Sequence, residues 1–512
     1  MSERSERTGE HSTRVRSEAR NRVSVVVVGN GMAGARFAAE LRSREPRRPV
    51  VVFGTEPGRA YNRILLSNLL AGKVGEEDLA LAEPPGALDL RTGVDVDAID
   101  PEAKTVHSSD GTTTRYDTLV LATGSRAIVP PIDGLWKDPE TLIDGAETFR
   151  TLADCRRILA EAEQARKVVV LGGGLLGLEA ARGLAQRGLE IEVVHARGHL
   201  MDRQIDPDAS RILISTLAEL GVSVRLDAVT EEVIATEPGG GGRLRGVRLE
   251  DGTEIEADLL VIACGVRPNP DLAAKAGLLV NHGIVVDDRM RTSDPSIYAI
   301  GECAEHRGKV YGLVQPAWEQ ARVAAEVIGG GGAHYTGSRL VTRLKASGVD
   351  LASMGDPHVD ADGAEVVTFA DPTRRTYQKV VIRDQRVVAA ILLGDSPTVG
   401  TLTQAFDRET PVPSDPRSLL FTRGGGQAAE PGMVSAATTL CRCNGVTAGA
   451  IVRAWMGGAR TPTEVVGATR ASTGCGSCRD TIASYVTALA ADAQQGGSDS
   501  AASAPQPEGV VA

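Results

Sequence analysis

The valine-rich segment Val23 to Val28 runs into Gly-Asn-Gly-Met-Ala-Gly at Gly29 to Gly34 and then into a helical pattern through Leu41. The same passage from strand to glycine turn to helix recurs at Val168 to Leu171, Gly172 to Gly177 and Leu178 to Leu184. In G-x-G-x-x-G the first glycine permits the tight turn, the second lets backbone amides approach a pyrophosphate, and the third lets the helix pack close to the strand. Two such units, 143 residues apart from Gly29 to Gly172, read as two mononucleotide-binding halves and not as a short solenoid repeat. The expected fold class is α/β, with two Rossmann-like dinucleotide-binding domains.

The context of each fingerprint sharpens the reading. After the first, a second strand is expected at Val50 to Phe53, and Glu56 follows Gly34 by 22 residues, where a carboxylate can accept hydrogen bonds from ribose hydroxyls. After the second, the strand Ile191 to Val194 is followed by His195, with Arg197 nearby, and by no carboxylate. His195 and Arg197 suit a 2′-phosphate or simply form a solvated loop, which leaves NADH and NADPH both open. His195 and His199 are four apart but lie in a glycine-containing loop without an obvious third ligand, so a metal pair is not expected there.

Composition removes other classes. The 512 residues carry 56 Lys and Arg against 67 Asp and Glu, a net charge of −11 with no dense basic stripe, which argues against nucleic acid or an anionic membrane as partner. The most apolar run, Val168 to Ala181, is interrupted by glycines and Glu179 and falls short of the roughly 18 residues of a membrane span. Met1 to Arg22 alternates Arg, Glu and Ser and lacks a signal-peptide centre, so a disordered leader and a cytoplasmic protein are expected. Cys155, Cys264 and Cys303 stand alone, whereas Cys441-Arg-Cys443 and Cys475-Gly-Ser-Cys478 form two close pairs. Four thiolates so spaced indicate a metal, either an iron–sulfur cluster or structural zinc, in a reducing compartment. Arg442 and Arg479 adjoin the pairs and can offset the negative charge or steer an acidic partner.

Three further motifs carry a resemblance: Ala122-Thr123-Gly124, Ala263-Cys264-Gly265-Val266-Arg267-Pro268-Asn269, and Ile297-Tyr298-Ala299-Ile300-Gly301-Glu302. With the two fingerprints they resemble the pyridine nucleotide-disulfide reductase superfamily over Val23 to about Gly332. The resemblance implies that the first fingerprint holds the ADP part of FAD and the second holds NAD(P)H. It also implies that the FAD domain is interrupted by the NAD(P) domain, and that Glu302, where Asp is usual, meets the FAD ribityl chain. The segment Tyr61 to Ser67 contains no cysteine where disulfide reductases place their redox pair. It is similar to the FAD-contacting segment of nitrite and nitrate assimilation flavoproteins, which adds Arg63 and Ser67. The implied cofactor residues are then Gly29, Gly31, Gly34, Glu56, Arg63, Ser67, Ala122, Thr123, Gly124, Gly172, Gly174, Gly177, Glu179, His195, Gly265, Gly301 and Glu302. Pro316, Trp318, Glu319 and Gln320 resemble the element flanking the isoalloxazine. No side-chain nucleophile or general base is expected, because the cofactors perform the chemistry.

The residues around the cysteine pairs resemble the BFD-like domain, which implies a 2Fe-2S cluster on Cys441, Cys443, Cys475 and Cys478. The stretch Val341 to Pro413 resembles the small α+β C-terminal domain of rubredoxin reductase-like flavoproteins. The expected order is a leader (1–22), an FAD domain (23–145 and 255–332) enclosing an NAD(P) domain (146–254), a small α+β domain (333–420), a linker (421–436), the cluster domain (437–490) and a disordered tail (491–512). That order resembles assimilatory nitrate reductase electron-transfer subunits and the N-terminal part of NAD(P)H nitrite reductase large subunits. No further cluster cysteines follow Cys478, so a sirohaem site on this chain is not expected. The implied partner is a redox protein acceptor, foremost a molybdenum nitrate reductase catalytic subunit. A ferredoxin, rubredoxin or nitrite reductase acceptor, or a zinc-bearing docking module on a flavoprotein, are the alternatives.

Overall fold

The computed structural model describes residues 24–81, 86, 88–237, 242–344, 346–359, 363–394, 398–421, 434–436, 438–441, 446–472 and 478–498. The expected leader, most of the expected linker, Arg442, Cys443, Cys475 and the tail from residue 499 lie outside them. The described residues form two compact units, one running to residue 359 with 370–377 and 389–394, the other containing the remainder.

In the first unit β1 (Val25–Val28) has all four side chains buried. A strand covered on both faces has no polar side to present, so apolar residues run continuously and the strand belongs in a parallel sheet. The chain continues through α1 (Met32–Arg44), β2 (Val50–Gly54), α2 (Leu66–Leu70), β3 (Asp89–Thr92) and β4 (Thr118–Leu121). A second set follows: β5 (Ala146–Thr148), α3 (Leu152–Ala162), β6 (Lys167–Leu171), α4 (Leu175–Ala185), β7 (Glu190–Val194), α5 (Pro207–Glu219), β8 (Val222–Arg225) and β9 (Leu259–Ile262). The chain then returns through β10 (Ile297–Ala299) and α6 (Val314–Ile328). The two parallel sheets have the orders β10-β4-β1-β2-β3 and β5-β9-β6-β7-β8.

These sheets are copies in register. Val28 lies beside Phe53 and Leu121 in the first, and Leu171 lies beside Val194 and Ile262 in the second. Each also carries a three-stranded antiparallel insertion before its last-paired central strand, at 96–115 in the first and 230–256 in the second. The copies differ at one edge: β5 precedes its own sheet in the chain, whereas β10 comes back after the second sheet is complete. The domain boundary drawn at 255 is therefore displaced. β9 pairs with β6 along Val168 to Leu171, so the chain rejoins the first sheet only beyond Ile262.

Helix α6 is tied to α1 by the Trp318 indole N–H, which donates to the Met32 carbonyl at 3.1 Å. Helix α3 starts in a reciprocal cap: Thr151 accepts from the Asp154 amide, and Asp154 accepts from the Thr151 amide. Strands β11 (Val341–Leu344) and β12 (Leu351–Gly355) pair antiparallel, and β12 pairs again with residues 389–393.

The second unit contains the cysteine module, built on α7 (Ala448–Met456), α8 (Pro462–Thr469) and α9 (Arg479–Ser498). Thr461 and Glu464 cap α8 reciprocally, with Pro462 in its first turn, where a missing N–H costs nothing. Helix α9 extends through Ser498, beyond the tail boundary drawn at 490, because the alanines and glutamines of 488–495 are good helix formers. Among the described residues no helix is long and apolar enough to cross a membrane.

Two stability outcomes follow from this backbone. A Cβ at Gly34 or Gly177 would overlap the carbonyl of Gly29 or Gly172, whereas one at Gly31 or Gly174 meets nothing within 4 Å. Thermal melts should show Gly34→Ala and Gly177→Ala destabilised by about 2 kcal/mol or more, with Gly31→Ala and Gly174→Ala little changed. Thr151→Ala should cost about 1 kcal/mol in urea unfolding through loss of the α3 cap.

Candidate functional site

The first fingerprint turn lies where β1 passes between β2 and β4, the switch point at which open α/β sheets bind ligands. Gly29 adopts φ +115° and its amide donates to the Phe53 carbonyl at 2.8 Å. Its missing Cβ admits the Ala122 carbonyl just beyond β4. Gly31 is the N-cap of α1 and offers no side-chain cap, so the first-turn amides stay available to an anion. Thr123 and Asn269 interlock: the Thr123 hydroxyl donates to the Asn269 carbonyl at 2.7 Å and the Asn269 side-chain amide to the Thr123 carbonyl at 3.1 Å. This joins the Ala122-Thr123-Gly124 and Ala263-to-Asn269 motifs beside a cleft of about 250 Å³ lined by Gly29, Phe53, Thr55, Asp95, Thr123 and Asn269.

Glu56 follows β2 and is engaged through both oxygens. Oε1 pairs with Arg63 Nη2, and Oε2 accepts from the Tyr61 hydroxyl at 2.8 Å. The Tyr61 hydroxyl in turn accepts from the Leu152 amide at 3.0 Å, and burial, the largest influence, raises its pKa well above the usual phenol value. Arg63 also donates to the Arg150 carbonyl at 3.1 Å. Ser67 is buried in α2 with no partner for its hydroxyl among the described residues. Gly301, at φ +80°, donates its amide to Gln320 Oε1 at 2.8 Å, while the Gln320 Nε2, on a fully buried side chain, has no acceptor among the described residues. Glu302 accepts from Ser125 Oγ at 2.6 Å and pairs with Arg150 Nη2. An uncapped helix start, a glycine cradle and buried donors without acceptors fit an extended, polyhydroxylated, anionic cofactor such as FAD. Tyr61, Ser125 and Arg150 were not identified as site residues from the sequence. The only signal for Arg150 was its place just ahead of the Thr151-x-x-Asp154 capping pattern.

The second fingerprint repeats the first. Gly172 also has φ +115°, its amide donates to the Val194 carbonyl at 2.9 Å, and its missing Cβ admits the Ala263 carbonyl. Ala263-Cys264-Gly265 is thus the counterpart of Ala122-Thr123-Gly124, an equivalence that only the fold reveals. Gly174 is an uncapped N-cap, and Glu179 is buried on α4. His195 sits against the turn: Nδ1 accepts from the Gly173 amide at 3.1 Å and Nε2 faces the His199 carbonyl at 3.1 Å. That pattern requires the neutral ring with its proton on Nε2. Burial, the main influence, holds the His195 pKa below its usual value. In this arrangement His195 brings no positive charge to a 2′-phosphate, whereas Arg197 is exposed.

Burial raises the pKa of all three isolated cysteines, Cys155 to about 12 and Cys264 to about 11, and Cys303 is wholly buried. They stay protonated thiols, poor nucleophiles, in keeping with the missing redox pair. In the second unit Cys441 and Cys478 are buried, and the Ser472 amide donates to Cys441 Sγ at 3.3 Å. Ser472 reaches it with φ +58°. Cys443 and Cys475 lie outside the described residues, and no three metal-capable side chains converge among those described. A buried soft sulfur with an amide donor fits an iron–sulfur cluster, whose sulfurs accept such hydrogen bonds.

Comparison with known proteins agrees with this geometry. Residues 23–326 match the pyridine nucleotide-disulphide oxidoreductase family, 341–410 the rubredoxin NAD+ reductase C-terminal domain, and 439–488 the BFD-like [2Fe-2S] binding domain. The chain is 40% identical over 468 residues to a nitrite reductase [NAD(P)H] of Bacillus subtilis, covering 90% of this chain and 56% of that protein. It is 35% identical over 465 residues to the assimilatory nitrate reductase electron transfer subunit of the same organism, covering 90% and 58%. The chain thus spans only about half the length of these relatives. It is also 36% identical to rhodocoxin reductase of Rhodococcus erythropolis, covering 66% of this chain and 80% of that protein. Among solved structures, the putidaredoxin reductase–putidaredoxin complex aligns with a TM-score of 0.70 at 27% identity, covering 78% of this chain and 96% of that one. The chain belongs to the pyridine nucleotide-disulphide oxidoreductase family and is an NAD(P)H-dependent flavoprotein oxidoreductase carrying a BFD-like 2Fe-2S domain.

Proposed function

We propose that this protein takes electrons from NAD(P)H and delivers them singly to a separate redox protein, the catalytic subunit of an assimilatory nitrate reductase. The observation that carries the reading is the union in one chain of a duplicated dinucleotide fold with a 2Fe-2S domain, in the order shared with an assimilatory nitrate reductase electron transfer subunit. Bound FAD supplies two-electron exchange with a nicotinamide and one-electron exchange with a cluster, and the 2Fe-2S centre carries one electron at a time. The chain's own residues bind and orient. Gly29, Gly31 and Gly34, with the first-turn amides of α1, cradle the FAD pyrophosphate. Glu56, Arg63, Ser67, Ala122, Thr123, Gly124, Gly301 and Glu302 surround the rest of it. Gly172, Gly174, Gly177, Glu179, His195 and Gly265 form the nicotinamide nucleotide site, and the four paired cysteines hold the cluster. A second reading is supported by the 40% identity to a nitrite reductase: the acceptor is then a nitrite-reducing centre.

Mixing the purified protein with a molybdenum nitrate reductase catalytic subunit and NADH should yield nitrite from nitrate. Nitrite consumption with a nitrite-reducing partner, and no nitrate reduction, would replace the first acceptor by the second. Cys478→Ser should abolish the visible absorption of the cluster while leaving anaerobic bleaching of the flavin by NADH intact, and transfer to the protein acceptor should fall at least 100-fold.

The neutral His195 gives a pH signature. Its folded pKa lies below the unfolded value of about 6.5, so its contribution to stability is complete above that value. It is lost as pH falls below about 6.5, because the unfolded chain takes up the proton first. Urea unfolding at pH 7.5 and 5.5 should show a smaller loss on acidification for His195→Asn than for the wild type.

A further inference from the structure

Glu302 and Glu56 are held differently, and the difference assigns a role to a residue outside every cofactor motif. Both oxygens of Glu56 are taken, one by Arg63 and one by Tyr61. At Glu302 both donors converge on Oε2: Ser125 Oγ at 2.6 Å and Arg150 Nη2. Arg150 Nη2 also donates to Ser125 Oγ at 2.7 Å, closing a three-membered ring of contacts. Oε1 of Glu302 has no partner among the described residues. The Arg150 and Glu302 side chains are each only 19% exposed, so the pair is largely shielded from water and its orientation is not averaged by solvent. Arg150 Nε is buried and also lacks an acceptor among the described residues.

The backbone of Arg150 is held as firmly as its side chain. Its amide, like that of Thr151, donates to Asp154 Oδ2 at 2.8 Å within the α3 cap, and its carbonyl accepts from Arg63 at 3.1 Å. A guanidinium anchored in this way sets the carboxylate in one orientation, because Oε2 cannot leave its two donors without stranding a partly buried cation.

We propose that Arg150, together with Ser125, is a cofactor-positioning clamp: it fixes Glu302 through Oε2 and presents Oε1 alone to accept hydrogen bonds from the hydroxyls of the FAD ribityl chain. The clamp rests on the reading of Glu302 as an FAD-contacting acid. Arg150 acts through Glu302, and its effect on cofactor binding disappears when the carboxylate is gone.

The test is a thermodynamic cycle on the full-length protein freed of flavin, with FAD as the titrant and quenching of flavin fluorescence as the readout. The variants are Arg150→Gln, Arg150→Lys, Ser125→Ala, Glu302→Gln and the Arg150→Gln/Glu302→Gln pair, each checked by the melting midpoint of its flavin-free form. Arg150→Gln should weaken FAD binding about 10- to 100-fold, Ser125→Ala less, and Arg150→Lys should recover part of the loss. In the Glu302→Gln background, Arg150→Gln should add less than about 3-fold. If Glu302→Gln weakens FAD but Arg150→Gln does not, or if the two losses add in full, the clamp is overturned while the role of Glu302 stands. If Glu302→Gln binds FAD like the wild type, the underlying reading falls and the clamp with it. Should Arg150→Gln fail to fold, the Ser125→Ala/Glu302→Gln cycle, which removes only a hydroxyl, decides the same question.

Discussion

The first unit depends on how closely three stretches of backbone approach at each fingerprint. A strand end, the first turn of the following helix and the end of the neighbouring strand meet at distances that leave no room for a Cβ at Gly29, Gly34, Gly172 or Gly177. Glycine lowers the stability of ordinary secondary structure by roughly 0.5–1 kcal/mol through backbone entropy, so four of them at crowded positions mark places where contact outweighs that cost. Gly31 and Gly174 are different. Their Cβ positions face open space, so the fold itself does not demand glycine there.

The same arrangement, made twice, explains how one chain builds two nucleotide sites without confusing them. Each central strand is flanked by one strand that follows it directly and one that arrives late, β4 or β9, and the late strand brings the Ala-x-Gly segment that closes the turn. The second copy is inserted into the first because β10 is supplied only after β9 has completed the other sheet. Phe149 to Leu152 then become a junction. Phe149 donates to Ile262 of the second sheet, while Arg150 and Leu152 meet Arg63, Glu302 and Tyr61, which follow strands of the first. The partly buried charges at this junction are bound to partners on several elements, so removing one strands the others.

The cysteines divide by environment. Burial is the largest influence that keeps Cys155, Cys264 and Cys303 protonated. Cys441 is equally buried but receives an amide hydrogen bond from Ser472, whose left-handed backbone turns the N–H towards the sulfur. A donor aimed at sulfur stabilises a thiolate and lowers its electron density, which is how a protein adjusts an iron–sulfur centre without changing its ligands.

Local pattern determined a good deal of this protein. Continuous valines, glycines at set spacing and an acid after the next strand are constraints between residues close in the chain, so the two α/β units, the glycine turns and the paired cysteines could all be recognised from the sequence. Helix α9 ran past its expected end because tail composition is a weaker signal than the alanine-rich turn before it. The membership of β9 in the second sheet, the kinship of Ala263-Cys264-Gly265 with Ala122-Thr123-Gly124, the neutral ring of His195 and the convergence of Ser125, Arg150 and Glu302 were decided only by tertiary structure. Each depends on groups brought together across long chain separations. A hydrogen bond between residues 150 and 302 leaves no periodicity or spacing in the sequence, since the chain folds an entire domain between them.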